Sequence, residues 1–284
     1  MVARFGYLLA LNWNIGEENT QSTEQRRDMI AYLSEIQLYP HNIVIHTFPN
    51  QQDKVYTPLL GDQSKLTGVS LQNGWDQVFR RTLKWRTASA EAGRPWVVAN
   101  DEQGSAAEGV PPDPGYNGYD VHTIGYDLHD IRKQTLYANL MAGGAGVEYY
   151  FGYKLPENDL VCEDFRSRDQ SWDYCRIALE FFTGNIPFQE MENADELIGN
   201  TTGDKGKHCL AKPGEVYLVY LAYDKSTSLD LSGVKGKFRV KWFNPRTGGE
   251  FQTTEVSKIK GGSVIDLGNP PANDGEDWLV LITR

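Results

Sequence analysis

Up to about residue 185, apolar runs of strand length alternate with segments whose apolar residues recur at helical spacing. "FGYLLALNWN" (5–14) predicts a strand, and "STEQRRDMIAYLSEI" follows it with Met29, Ile30, Leu33 and Ile36 on one helical face. Ser22 and Gln25 have the spacing of a capping box at the start of that helix. "NIVIHTF" (42–48) and "TGVSLQ" (67–72) predict two more strands, and "WDQVFRRTLKWRTASAEAG" (75–93) a helix stopped by Gly93. "RPWVVAN" (94–100) and "AGVEYYFGY" (145–153) complete five strands; "HDIRKQTLYANLMAGG" (129–144) and "DQSWDYCRIALEFFTGN" (169–185) predict the remaining helices.

This alternation of near-continuous apolar strands with helices predicts a parallel sheet covered by helices, of the (β/α) barrel type. A smaller open α/β sheet is the competing architecture. A closed barrel needs eight strands, so five predict the C-terminal part of one, strands four to eight. About three units would then be missing from the N-terminal side.

Beyond residue 190 the pattern changes to short β-rich runs separated by Gly, Pro, Asn and Asp: "GEVYLVYLA", "STSLDL", "GKFRVKWFNPRTGG", "FQTTEV", "GSVIDL" and "DWLVLIT". Regular short strands with turn signals predict a β-sandwich. The expected division is 1–188 for the barrel part and 189–284 for the sandwich. Within the sandwich Lys235, Lys237, Arg239 and Lys241 alternate with Gly236, Phe238, Val240 and Trp242, which makes one strand face basic and the other apolar. That face is either simply solvated or a strip for an anionic glycan.

Composition narrows the function classes. The chain has 284 residues, is 40% hydrophobic and carries a net charge of −10. It is composed as a folded chain, no stretch approaches the roughly 18 apolar residues of a membrane span, and the acidic balance argues against nucleic acid as a partner. Cys162, Cys175 and Cys209 are odd in number and lack C-x-x-C spacing, so neither a disulfide framework nor a zinc knuckle is predicted. The N-terminal run leads straight into polar residues with no visible signal-peptide cleavage site.

Two strands end in acid: "LALNWNIGEEN" runs into Glu17, Glu18 and Asn19, and "RPWVVANDEQG" into Asp101 and Glu102. In parallel barrels the reacting groups sit at the C-terminal ends of strands. Glu18 and Glu102 are three strand–helix units apart, so their tips would face one another across a barrel mouth. Two carboxylates flanking one bond suit glycoside hydrolysis, with one as nucleophile and the other as acid/base. Helix capping explains these acids poorly, because Ser22 is the cap after the first pair and "GSAAEGVPPDPGYNGYD" (104–120), a loop, follows the second.

Trp13 and Trp96 lie on the same two strands and could wall the acid, raising its pKa. His46 ends its strand at the same mouth, where it could hold a sugar hydroxyl or a carboxylate; a purely structural histidine fits as well. Glu148 lies near the tip of the last strand, among Tyr149, Tyr150, Phe151 and Tyr153, which form either a sugar platform or core. "RSRDQSWD" (166–173) either reaches the mouth or starts a helix capped by Asp169. No H-E-x-x-H, Walker A or G-x-S-x-G pattern occurs. The reaction proposed from these residues needs no metal and no cofactor. The single Asn200-Thr201-Thr202 sequon is a common coincidence.

"WNIGEEN", "RPWVVANDEQG", "NLMAGGAGVEYYFGY" and "DYCRIALEFF", followed by "LDLSG" and "FRVKWFNPRTGG", resemble bacterial glycoside hydrolases of the apiosidase-like barrel type, whose C-terminal sandwich is of a so-called collagen-binding type. The resemblance implies that Glu18, after Trp13 and Gly16 of a W-x-x-G-G-acid pattern in which Glu17 replaces the second Gly, is the acid/base. It implies that Glu102, downstream of Arg94 and Pro95, is the nucleophile, and that the protein is bacterial and secreted or periplasmic. Glu17, Asn19, His46, Asp101, Glu148, Tyr150 and Trp13 are the expected substrate-binding residues, and a polysaccharide or oligosaccharide the expected substrate. A carbohydrate-binding protein with a degenerate barrel, or an adhesion module working through its sandwich, are the alternatives.

Overall fold

The computed structural model describes every residue except 19, 104–108, 119–124, 156, 157, 159–163, 204, 224, 273 and 274. After a short helical turn, α1 (Val2–Phe5), the first half is built on four parallel strands, β1 (Asn12–Asn14), β2 (Asn42–Thr47), β3 (Gly68–Asn73) and β4 (Val97–Gln103), in sequential order. Helices α2 (Thr23–Ile36), α3 (Gln52–Tyr56) and α4 (Val78–Glu91) connect them. Strand period two sends Trp13, Ile43, Ile45, Val69, Leu71 and Val98 to one face, where they pack against Ile30, Tyr56 and Trp85 of the helices. The intervening residues, Asn14, Val44, His46 and Ser70, fall on the opposite, inner face.

α2 starts as predicted: the Ser22 hydroxyl accepts from the Gln25 N–H while Gln25 Oε1 accepts from the Ser22 N–H. Gly93 follows α4 with φ +82°, a backbone that favours glycine at a helix stop. Two strand predictions need correction. The first predicted strand contracts to Asn12–Asn14, because β1 is the sheet edge and pairs with β2 alone, so the chain ahead of it has no second strand to hold it extended. The fifth, "AGVEYYFGY", is reduced to one parallel bridge between Asn100 and Val147. It still joins β4 through Ala145 N–H to Val98 C=O, Asn100 N–H to Gly146 C=O and Glu148 N–H to Asn100 C=O, at 2.8 to 3.0 Å. The segment then leaves β4, its Tyr150 C=O accepting from the Val110 N–H. The sheet is therefore a partial, open (β/α) barrel.

The helical run that precedes this segment is α5 (Leu128–Ile131), a π-helical stretch Arg132–Tyr137 and α6 (Ala138–Met141). Asp127 caps it, accepting from the His129 and Asp130 N–H groups. α7 (Asp169–Gly184) follows a 3-10 turn at Phe165–Arg168. Asp169 is the first helical residue of α7 and not its cap, a position held by Arg168, whereas Asp164 caps the 3-10 turn.

The second half is a six-stranded antiparallel sheet ordered β10-β9-β12-β7-β6-β5, covered by a two-stranded β11-β8 ribbon. Its strands are β5 (Glu192–Asn193), β6 (Lys207–Lys212), β7 (Val216–Leu221), β8 (Ser228–Asp230), β9 (Lys237–Phe243), β10 (Lys258–Lys260), β11 (Val264–Asp266) and β12 (Trp278–Thr283). β5, β6 and β10 are absent from the sequence prediction, and "FQTTEV" forms only a bridge from Gln252 to Trp242. One face of the large sheet, through Leu218, Tyr220, Leu279 and Leu281, joins Tyr137, Ile177 and Phe181 of the helices in one core. The other face, through Tyr217, Val219, Val240 and Trp242, meets Leu229 and Leu267. A fully buried ion pair locks the halves: Arg132 donates to both carboxylate oxygens of Asp277 at 2.6 and 3.1 Å, and the Tyr220 hydroxyl donates to one of them at 2.7 Å.

Candidate active site

The C-terminal ends of β1 to β4 carry a polar layer over the apolar sheet. In parallel pairing, residues in register share a face: Ser70 aligns with His46 on one side and Ala99 on the other. Strict alternation would place Glu102 opposite Asn73, on the helix side. The register instead shifts between Leu71 and Gln72, so that Leu71 aligns with Asn100 but Gln72 with Glu102, leaving Asp101 as the extra residue of a β-bulge. The bulge turns Glu102 onto the face that carries Ser70 and His46.

At the tip of β1, Gly16 adopts φ +146°, a conformation that favours glycine, and its C=O accepts from the His46 N–H at 3.3 Å. This turn brings Glu17 over the sheet, where Asn14 Nδ2 donates to Glu17 Oε1 at 2.6 Å. Glu18 is the only described non-glycine residue with positive φ, at +38°.

His46 is the meeting point. Its Nδ1 lies 3.0 Å from Ser70 Oγ, and its Nε2 lies 3.5 Å from Glu102 Oε2 and 3.9 Å from Glu17 Oε2. Those two carboxylate oxygens are thus no further apart than both contacts end to end, about 7.4 Å. Glu102 is buried, its side chain 7% exposed, whereas that of Glu17 is 65% exposed. Burial lowers the pKa of His46, but the hydrogen bond with Glu102 and the charges of Glu17, Glu102 and Asp101 outweigh it and hold the imidazole above its ordinary value. Burial raises Asp101, against the pull of a Ser70 hydrogen bond and of His46. Burial likewise raises Glu148, helped by Asp101 and Glu17, and pushes Tyr150 up to about 12, helped by Glu102, Glu17 and Glu148.

Beside this cluster a second polar chain stiffens the strand tips. Asn73 Nδ2 donates to Asn100 Oδ1 at 2.6 Å, Gln52 Nε2 donates to Asn73 Oδ1 at 3.0 Å, and Trp85 Nε1 donates to Gln52 Oε1 at 2.9 Å. Three other buried polar atoms at these tips have no hydrogen-bond partner, Gln72 Oε1 on the inner face and Thr47 Oγ1 and Asn100 Nδ2 on the helix side. Buried polar groups are normally satisfied, and Gln72 Oε1 on the inner face is one that a ligand's hydroxyl would satisfy.

Of the residues expected here, Glu17, His46, Asp101, Glu102, Glu148 and Tyr150 interact as one electrostatic group. Asn19 lies outside the described residues. Trp13 is turned away: it is buried behind the sheet, its Nε1 donating to Gln37 Oε1, because its neighbours Asn12 and Asn14 take the inner face. Trp96 stacks on Trp85 in that same outer core. Neither tryptophan walls the acids. Asn14, Ser70, Gln72 and Asn100 escaped the sequence reading; their common signal is a polar residue at or near the C-terminal end of an apolar strand. Among the described residues no group of three or more His, Cys, Asp or Glu is arranged to hold a metal ion, and Cys175 and Cys209 are free thiols.

The same architecture occurs in solved structures. A glycoside hydrolase family 5 protein from Bacteroides vulgatus ATCC 8482 superposes with TM-score 0.71 at 17% identity, over 99% of this chain and 64% of that one. The chain shares the fold of that protein. A second structure, described as "Glycoside hydrolase", gives 0.67 at 14% identity over 99% and 66% of the two chains. An alpha-amylase from Anoxybacillus gives 0.54 at 8% identity over 92% and 56%. The chain thus spans about two thirds of the length of the first two structures. Residues 193–283 match the family described as "Putative collagen-binding domain of a collagenase". No curated protein matches the sequence. Among the described residues no helix is long and apolar enough to cross a membrane.

Proposed function

We propose that the protein hydrolyses O-glycosidic bonds of a polysaccharide or oligosaccharide by a retaining, two-carboxylate mechanism, with residues 1–188 forming the catalytic part. The observation that carries this reading is the convergence of Glu102 and Glu17 on His46 Nε2, which keeps the two carboxylates below the roughly 9.5 Å upper limit for a pair that flanks one glycosidic bond. Glu102 is the nucleophile: the buried carboxylate attacks the anomeric carbon as the bond to the leaving oxygen breaks, giving a covalent glycosyl ester. The acid/base protonates the leaving oxygen, then takes a proton from the water that cleaves the ester.

The motif favours Glu18 for that second role. The geometry supports Glu17, the acid that shares His46 with Glu102. His46, protonated at neutral pH more readily than an ordinary histidine, offsets the repulsion between the two carboxylates and orients Glu102. Asp101, Glu148 and Tyr150 contact sugar hydroxyls. Retention of configuration rests on the family resemblance, since an upper bound of about 7.4 Å admits either outcome.

The test is release of reducing sugar from pectic, hemicellulosic and algal polysaccharides by the chain and by Glu102→Gln. Turnover that falls to background in the variant is expected. A Glu102→Gln chain with full activity would overturn the assignment, and binding of one polymer without turnover would favour a non-catalytic carbohydrate-binding protein.

A further inference from the structure

In a chain of net charge −10, one strand pair concentrates positive charge. Lys237, Arg239 and Lys241 project from the same face of β9, with Phe238, Val240 and Trp242 buried on the other. β10 pairs with β9 so that Lys258 lies opposite Arg239 and Lys260 opposite Lys237. Opposite residues of an antiparallel pair share a face, so five cations occupy one side of a two-stranded ribbon. Lys235 lies ahead of β9, outside the residues paired with β10.

Like charges placed directly opposite one another destabilise a sheet. Nothing on this face relieves them: among the described residues none of the five forms an ion pair with a carboxylate, and Lys241 Nζ instead lies over the Phe251 ring at 5.2 Å. Lysines on an edge strand can serve to deter strand-to-strand aggregation. That accounts for Lys258 and Lys260 on β10. It does not account for the three on β9, which lies inside the sheet between β10 and β12 and whose side chains stand perpendicular to the edge.

We propose that this ribbon binds an acidic polysaccharide bearing one carboxylate per sugar, at a site separate from the barrel mouth. Neighbouring cations along β9 are about 6.7 Å apart and those across the pair about 5 Å, a sparse grid suited to one charge per ring. A nucleic-acid strand asks in addition for exposed aromatic platforms on which its bases stack, and the solvent-facing side chains of this ribbon are cations alone. The grid along β9 extends about 13 Å, longer than the Debye length of about 8 Å at physiological salt, so a polymer senses it apart from the acidic remainder of the chain. The mouth, lined by Glu17, Asp101, Glu102 and Glu148, repels such a polymer. The two sites therefore divide the work, the ribbon anchoring an acidic matrix while the mouth acts on a less charged chain. The choice of a polysaccharide rests on the glycosidase reading of the barrel; the ribbon's charge does not.

The experiment is equilibrium binding of the full chain to polygalacturonate at low and high salt, with neutral dextran, double-stranded DNA and phosphatidylserine-containing vesicles alongside. Expected are salt-sensitive binding of polygalacturonate alone and an affinity about tenfold weaker in Lys237→Gln/Lys260→Gln. The melting temperature should not fall in that variant, because a repulsive pair has been removed, so lost affinity is not lost fold. Glu102→Gln should bind as the parent does, which keeps failure of this inference distinguishable from failure of the catalytic one. No binding to polygalacturonate, binding unaffected by the double substitution, or tighter binding to DNA or vesicles would overturn it.

Discussion

Three carboxylates crowd one buried imidazole, and the protonation of His46 is where the conflict between burial and charge is resolved. A raised native pKa means that the folded state holds the proton more tightly than the unfolded chain does. The resulting stabilisation is fully present below the ordinary histidine value of 6.5 and is lost as pH rises through the higher native value. The raised Asp101 acts in the same direction from lower pH, its native state also favouring the proton. Denaturant unfolding between pH 6 and 9 should therefore show stability falling as pH rises, and His46→Gln should flatten that fall. An unchanged slope in the variant would show that another group governs it.

Among elements, β4 decides what the site contains. Without the bulge at Asp101, Glu102 would share a face with Asn73 and point toward the helices. Deleting Asp101 should restore regular alternation and remove activity to background, whereas Asp101→Ala, which keeps the bulge, should retain measurable turnover; equal activities would show that the bulge does not position Glu102. The acidic strand tips were legible because they interrupt apolar runs, and the Ser22–Gln25 cap because it is local. The bulge was not legible, since a one-residue register shift is settled by the neighbouring strand. The approach of Glu17 to His46 was hidden as well, because it depends on the turn through Gly16 at φ +146°. The outward side of Trp13 was readable from Asn12 and Asn14, but only once the polar side of the sheet is known to be the inner one. β6, "KHCLAK", shows no strict alternation because both its faces are buried.

At the scale of the whole molecule, the barrel helices and the large antiparallel sheet share one core, and the accessory half is built into the fold. The buried Arg132–Asp277 pair spans that junction, with Tyr220 completing its bonding. Removing one partner leaves a buried charge uncompensated, so Asp277→Ala should destabilise the chain by about 3 to 5 kcal/mol, read as a lower denaturant midpoint. Unfolding of the two halves should remain a single transition, because Leu218, Tyr220 and Leu279 are core for both. Separate transitions in the parent chain would contradict the shared core.

If Glu17 and Glu102 flank one glycosidic bond, Glu17→Gln and Glu18→Gln must differ in their rates on a hydrolysed polysaccharide. Loss of the acid/base should lower the rate roughly 10²- to 10⁴-fold in Glu17→Gln. Glu18→Gln should stay near the parent rate. The opposite ranking, with Glu18→Gln inactive and Glu17→Gln nearly unaffected, would contradict the account and return the acid/base role to the residue that the W-x-x-G pattern favours.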